Sequence, residues 1–217
     1  DSEPPPSKSI LVMGLSGTVN GKEINKNLFY ENANKLEVCH INNDAMGSIK
    51  EIYTEPNSKR VQYIYAVIHR RHLDTGSEVS KKCRKILKES YNYVEGDACG
   101  HIIARRLGGT GNDIKNLFPQ NSQVNNTTYK SMEARVYNHV KSGTGCYTEM
   151  HVRLDYDDSN NHSTIEKRPY RIIYLIVFKD AHGQTIRIEA DCEENPKSSP
   201  TDKLATENVV VLSVSEP

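Results

Sequence analysis

Residues 97–137 read DACGHIIARRLGGTGNDIKNLFPQNSQVNNTTYKSMEARVY, and the fold turns on how this stretch is parsed. Val94 to Leu107 opens as a strand. Gly108, Gly109, Thr110, Gly111 and Asn112 then form a cluster that only a turn accommodates. Asn116 to Phe118 follows as a brief second strand, which Pro119 is expected to end. From Ser122 or Asn125 onward, Tyr129, Met132, Val136 and Val140 recur at i, i+3, i+7 and i+11, so one apolar face runs along a helix to about Gly143. The predicted order is strand, glycine loop, strand, helix.

Upstream, Ile10 to Met13 reads as a short strand and Gly14 to Gly21 as a turn-rich stretch. Val61 to His69 (VQYIYAVIH) is dense in β-branched and aromatic residues and predicts a strand, while Val79, Cys83, Ile86 and Leu87 place a short basic helix within Ser77 to Tyr91. Downstream the period changes to two. Met150, Val152, Leu154 and Tyr156 alternate with polar residues, Arg171 to Lys179 is mainly apolar, and Thr185 to Ala190 alternates again, giving a three-stranded meander. Val209 to Val214 reads as a last strand. The expectation is an α+β fold: a strand-loop-strand-helix core packed on a mostly antiparallel sheet. A polar, proline-rich leader (1–9) precedes one domain (10–217), with the core at about 93–142 and the meander at about 147–192.

At 217 residues the chain can bury a core of its own, and no apolar run is long enough for a membrane span. The leader lacks the apolar stretch of a signal peptide. Net charge is zero, yet its distribution is uneven. Arg70, Arg71, Lys81, Lys82, Arg84, Lys85 and Lys88 face only Asp74 and Glu78 in their run; Arg105, Arg106, Lys115, Lys130, Arg135 and Lys141 face only Asp113 and Glu133 in theirs. The acids gather at 155–158 and 189–194, so a basic surface on a neutral protein is allowed. Five cysteines (Cys39, Cys83, Cys99, Cys146, Cys192) form no CxxC pair, which argues against a zinc ribbon. Up to two disulfides, with sequons at Asn125, Asn126 and Asn161, suit a secreted protein; a cytoplasmic chain with five thiols is the alternative.

Phosphodiester hydrolysis needs a base, a divalent cation and groups that hold phosphate. His101 follows a glycine at the end of a strand, and neutral imidazole is a competent base near pH 7. Asn125 opens the helix, where its carboxamide oxygen is a hard ligand for a Mg²⁺ that keeps most of its waters. Glu133, eight residues on, lies about 80° round an ideal helix and roughly 12 Å along it, so it would act through one of the ion's waters rather than bind directly. Asn116 is placed to brace the loop that carries His101 or to fix the helix start.

With those residues in place, the stretch resembles the sugar-non-specific DNA/RNA endonucleases with a ββα-metal (His-Me finger) core. The matching positions are Gly100-His101, the glycine loop, the segment Asn116–Gln120 (NLFPQ), Asn125 and Glu133. The resemblance covers about a fifth of the chain. It implies a metal-dependent endonuclease acting on DNA and RNA with little sequence specificity and leaving 5′-phosphate ends. In it His101 would be the general base, Asn125 would hold Mg²⁺ (or Mn²⁺ in its place), and Glu133 would support. It also leaves room for a protein inhibitor as a partner. Many members read Asp-Arg-Gly-His, whereas this chain has Ala98 and Cys99 there, keeping an aspartate one step earlier at Asp97. The missing arginine's phosphate contact then falls to Arg105 as first candidate, with Arg106, Arg135, Gln120 and Lys130 as further substrate-binding residues.

Other readings fit less. The glycine loop lacks the GKS or GKT of a nucleotide-binding loop, and a Cys99 nucleophile would leave Asn125 and Glu133 without a role. The alternative from a different class is a nucleic-acid- or protein-binding module on the same fold, its catalysis weakened by the missing arginine.

Overall fold

The computed structural model describes residues 17–19, 22–24, 30, 32–123, 128–159, 164–197 and 210–212. The leader (1–9), Ile10 to Met13, Asn125 and the sequon asparagines Asn126 and Asn161 lie outside the described residues.

Chain order explains the architecture. After a small ribbon of β1 (Gly17–Val19) and β2 (Lys22–Ile24) come β3 (Glu37–His40), β4 (Ile49–Thr54) and β5 (Val61–Ile68), then helix α1 (Lys81–Ser90). The ribbon β6 (Asp97–His101) and β7 (Leu117–Asn121) precedes helix α2 (Thr128–Ser142). The chain then runs through β8 (Tyr147–Asp155), β9 (Arg171–Lys179), β10 (Thr185–Glu194) and β11 (Val210–Leu212). Seven strands form one antiparallel sheet in the order β11-β10-β9-β8-β5-β4-β3. The expected α+β class, strand-loop-strand-helix order and C-terminal meander are therefore present. β3 and β4 were not anticipated; the exposed Glu37–His40 stretch has no alternation of burial to betray it.

The sheet is buried on both faces, which is why β9 reads as a nearly continuous apolar run rather than an alternating one. One face carries Ile64, Ala66, Met150, Val152, Leu154, Ile172, Ile176 and Phe178 against Met132, Val136 and Val140 of α2 and against Ile102, Ile103 and Phe118 of the ribbon region. The other carries Tyr53, Tyr63, Ile173, Leu175 and Val177 under Tyr30 and Leu36. The three α2 residues are 0–1 % exposed, and burying each stabilises the docking of the helix by about 1.5–3 kcal/mol. Helix α1 begins at an N-cap, Ser80, whose hydroxyl accepts from the Cys83 amide, and it packs Cys83 and Leu87 against Leu117 of β7.

Two expectations need correction. Pro119 does not end the second strand: β7 runs through it to Asn121, with Pro119 opposite Cys99. A ribbon of two strands has open outer edges, where the missing proline N–H costs no ladder bond. The disulfides are also absent; all five cysteines are free thiols, so cross-links lend no support to a secreted location. Among the described residues no helix is long and apolar enough to cross a membrane.

Candidate active site

His101 ends β6, directly after Gly100, where a Cβ would stand 2.4 Å from the Gln120 side chain across the ribbon. Glycine is required for that close approach. His101 itself is half-buried, and its Nε2–H donates to the Ser77 carbonyl at 2.8 Å. A ring that donates from Nε2 holds its lone pair on Nδ1, the form a general base needs. Burial lowers the pKa of the ring below the ordinary histidine value; the Ser77 carbonyl opposes this and Arg105 adds to it.

Ser77 is in turn fixed by the glycine loop. Its amide donates to the Gly109 carbonyl (3.3 Å), and its hydroxyl accepts from the Gly111 amide (2.9 Å) and meets Thr110 Oγ1 at 3.3 Å. Backbones come close enough here that a Cβ on Gly111 would lie 2.2 Å from the Glu78 carbonyl. The loop therefore grips the segment that orients the imidazole. Asn116 holds the same loop from the other side. Fully buried, it accepts from the Ile103 amide (2.8 Å) and donates to the carbonyls of Ile103 (3.0 Å) and Thr110 (2.9 Å). Its side chain acts on the backbone two residues beyond His101.

The turn at Arg105–Leu107 joins this region to α2. Arg105 is exposed and pairs with Glu78 at 2.9 Å. The Arg106 guanidinium lies 4.2 Å above the Tyr137 ring, whose hydroxyl donates to Asp74, and the Arg106 carbonyl accepts from the Asp74 amide (2.9 Å). Beside it stands Glu133, whose carboxyl is pushed up to about 7 by burial, against the pull of Arg106 and of Lys130 one turn earlier on α2. Arg105 thus bears on His101 and Arg106 on Glu133, from adjacent positions of one turn.

Two residues expected to bind substrate face the interior instead. Gln120 is 1 % exposed, filling the space over Gly100 and donating to Glu193 (3.2 Å). Arg135 donates to Glu189, a carboxylate with no exposed surface that Arg187 also holds. Positions 133 and 135 are about 200° apart on a helix, so a side chain two residues from Glu133 points to the sheet. Both tie the ribbon and α2 to β10.

Sequence reasoning passed over Ser77, and no signal could have found it, because every residue carries a carbonyl. It also left Asp97 without a role. Its carboxylate takes both Nε (2.9 Å) and Nη2 (2.8 Å) of Arg168, which is 2 % exposed and also donates to the carbonyls of Asn195 and Pro196. This pair fixes the start of β6.

Among the described residues no group of three or more His, Cys, Asp and Glu side chains could hold a metal ion. Glu133 stands beside the Arg105–Arg106 turn with its carboxyl shifted up to about 7 by burial, and once ionised it is a hard oxygen donor of the kind a hydrated dication takes. No curated protein matches the chain in sequence. Similar solved structures include an extracellular nuclease, at 13% identity over 83% of this chain and 95% of that one with a TM-score of 0.46. The EndoG/EndoGI complex matches at 12% over 74% and 79%, TM-score 0.46, and Sda1 nuclease with bound zinc ion at 14% over 85% and 92%, TM-score 0.46. A family model described as DNA/RNA non-specific endonuclease matches residues 40–170, more than half of the chain, with His101, Asn116 and Glu133 inside it. The chain belongs to the DNA/RNA non-specific endonuclease family.

Proposed function

We propose that this chain is a metal-dependent endonuclease that hydrolyses phosphodiester bonds of DNA and RNA with little sequence preference. The observation that supports it most is the imidazole of His101, held by the Ser77 carbonyl in the Nδ1-basic form and kept neutral by burial. In this reading His101 takes the proton from the attacking water, and the leaving 3′ oxygen departs to give a 5′-phosphate end. Asn125, with Glu133 supporting, would hold Mg²⁺, for which Mn²⁺ could substitute; bound there, the ion supplies a Lewis acid for the phosphate and the leaving oxygen. Arg105 and Arg106 hold the phosphate in place of the arginine absent at Cys99. Contacts of this kind go to the backbone, and carry no sequence information. Secretion, which the sequons favour, and a protein inhibitor as partner belong to the same reading.

A plasmid-nicking assay tests it. Wild type should nick and then linearise plasmid with Mg²⁺ and stop in EDTA, and His101→Ala should lose about 10²- to 10⁴-fold in rate. Equal cleavage by His101→Ala, or cleavage indifferent to EDTA, would overturn the assignment. A wild type that binds nucleic acid without cutting it would favour the binding-module alternative.

A further inference from the structure

We propose that the outward face of α1 is a second contact for the nucleic-acid backbone, holding the phosphates that flank the one being cut; this rests on the endonuclease reading. Helix α1 presents Lys81, Arg84 and Lys88 at i, i+3 and i+7, a single stripe rising about 10 Å along the helix. All three are exposed, while the adjoining side of the helix is spent on Cys83 and Leu87 in the core. The only acid in α1, Glu89, stands 4.0 Å from Lys85 and so leaves the stripe uncompensated from within its own helix.

Position makes the stripe more than a solvated face. Arg84 reaches across to Cys99 Sγ at 3.7 Å, and the Lys88 ammonium lies 5.9 Å from the centre of the Tyr93 ring. Cys99 is two residues before His101 on β6, and side chains two apart on a strand share a face. The cations therefore lie alongside the strand that carries the imidazole, and the row begins three residues after Glu78, the partner of Arg105. One strand of a duplex places a phosphate about every 3.4 Å along the axis, so a row of this length matches about three successive phosphates. An acidic protein could also meet such a row, but continuity with His101 favours the polynucleotide that His101 is to cut.

The test compares wild type with Lys81→Ala/Arg84→Ala/Lys88→Ala, and with Lys35→Ala/Lys59→Ala as a charge-removal control. Binding of a fluorescent 20-base-pair duplex in EDTA is measured from 50 to 200 mM salt, and cleavage of bis(p-nitrophenyl) phosphate, which has no flanking phosphates, in Mg²⁺. Losing three contacts should make the salt-induced weakening over this range about 20- to 40-fold smaller than in wild type. The control should keep the wild-type slope, and hydrolysis of the small diester should be unchanged in both variants. A triple variant with the wild-type slope would overturn the proposal and leave the row to a protein partner, as would a control that lost as much. If wild type cleaves neither plasmid nor small diester, the endonuclease reading fails; the slopes still decide whether α1 binds nucleic acid.

Discussion

A histidine is a base only while it is neutral, and in this protein a backbone carbonyl and burial act together on that requirement. Ser77 fixes which nitrogen carries the proton, and the half-buried setting lowers the ring's pKa. Glu133 is shifted the other way, to about 7. On the proposed endonuclease reading, activity depends on two groups: the carboxyl must be ionised and the imidazole unprotonated. The pH profile of kcat/KM should show an acid limb near pH 7 from Glu133 and a second below 6.5 from His101. In Glu133→Gln the upper limb should vanish and the lower one persist. A limb that stays at or above 6.5 in that variant would show that the imidazole is not held neutral by its surroundings.

At the scale of elements, the ribbon β6–β7 carries His101 but has only two strands, which alone are marginal in water. Its stability is borrowed. Asn116 closes the loop between the strands, Asn195 donates to the Pro119 carbonyl (2.9 Å), and the Asp97–Arg168 pair locks its first residue to the segment before β9, from which Arg168 also reaches the Asn195 and Pro196 carbonyls. Both members of that pair have side chains 1–2 % exposed, so deleting one strands a buried charge. Arg168→Ala should cost about 3–5 kcal/mol in urea unfolding. The double variant with Asp97→Ala should be much less destabilised than the two singles added together. Additive losses would mean that the two side chains act independently. Strand existence was legible here from residue pattern, but the extension of β7 through Pro119 was not, because it depends on which edge of the ribbon is open.

For the whole molecule, burial of acids sets how stability varies with pH. Glu51, 7 % exposed on the face of the sheet away from α2, accepts from Tyr53 (2.8 Å) and is raised to about 7 by burial alone. Glu133 and Glu149 are shifted in the same direction, also by burial first. A carboxyl whose folded pKa lies above its unfolded value favours folding while it is protonated, and that contribution is lost as pH rises from about 4.5 through 7. Glu51→Gln should therefore match wild type at pH 4.5 and exceed it above pH 7 by as much as about 3 kcal/mol, read as the difference between urea midpoints at the two pH values. A variant no more stable at pH 8 than wild type would mean that the carboxylate is better solvated than its surroundings imply.

By itself the sequence determined the α+β class, the strand-loop-strand-helix order and the position of His101, because each rests on local signals: hydrophobic period, glycine clustering and a fixed spacing of side chains along one stretch. Tertiary structure alone decided where the polar side chains point and what they meet. Gln120 and Arg135 look like phosphate binders in a list of polar residues, yet the packing of the ribbon and α2 on β10 turns both inward to Glu193 and Glu189. Ser77 looks like nothing, yet a chain reversal brings its carbonyl to the imidazole from 24 residues away. Direction and partner are properties of a packed surface, and no spacing along the chain encodes them.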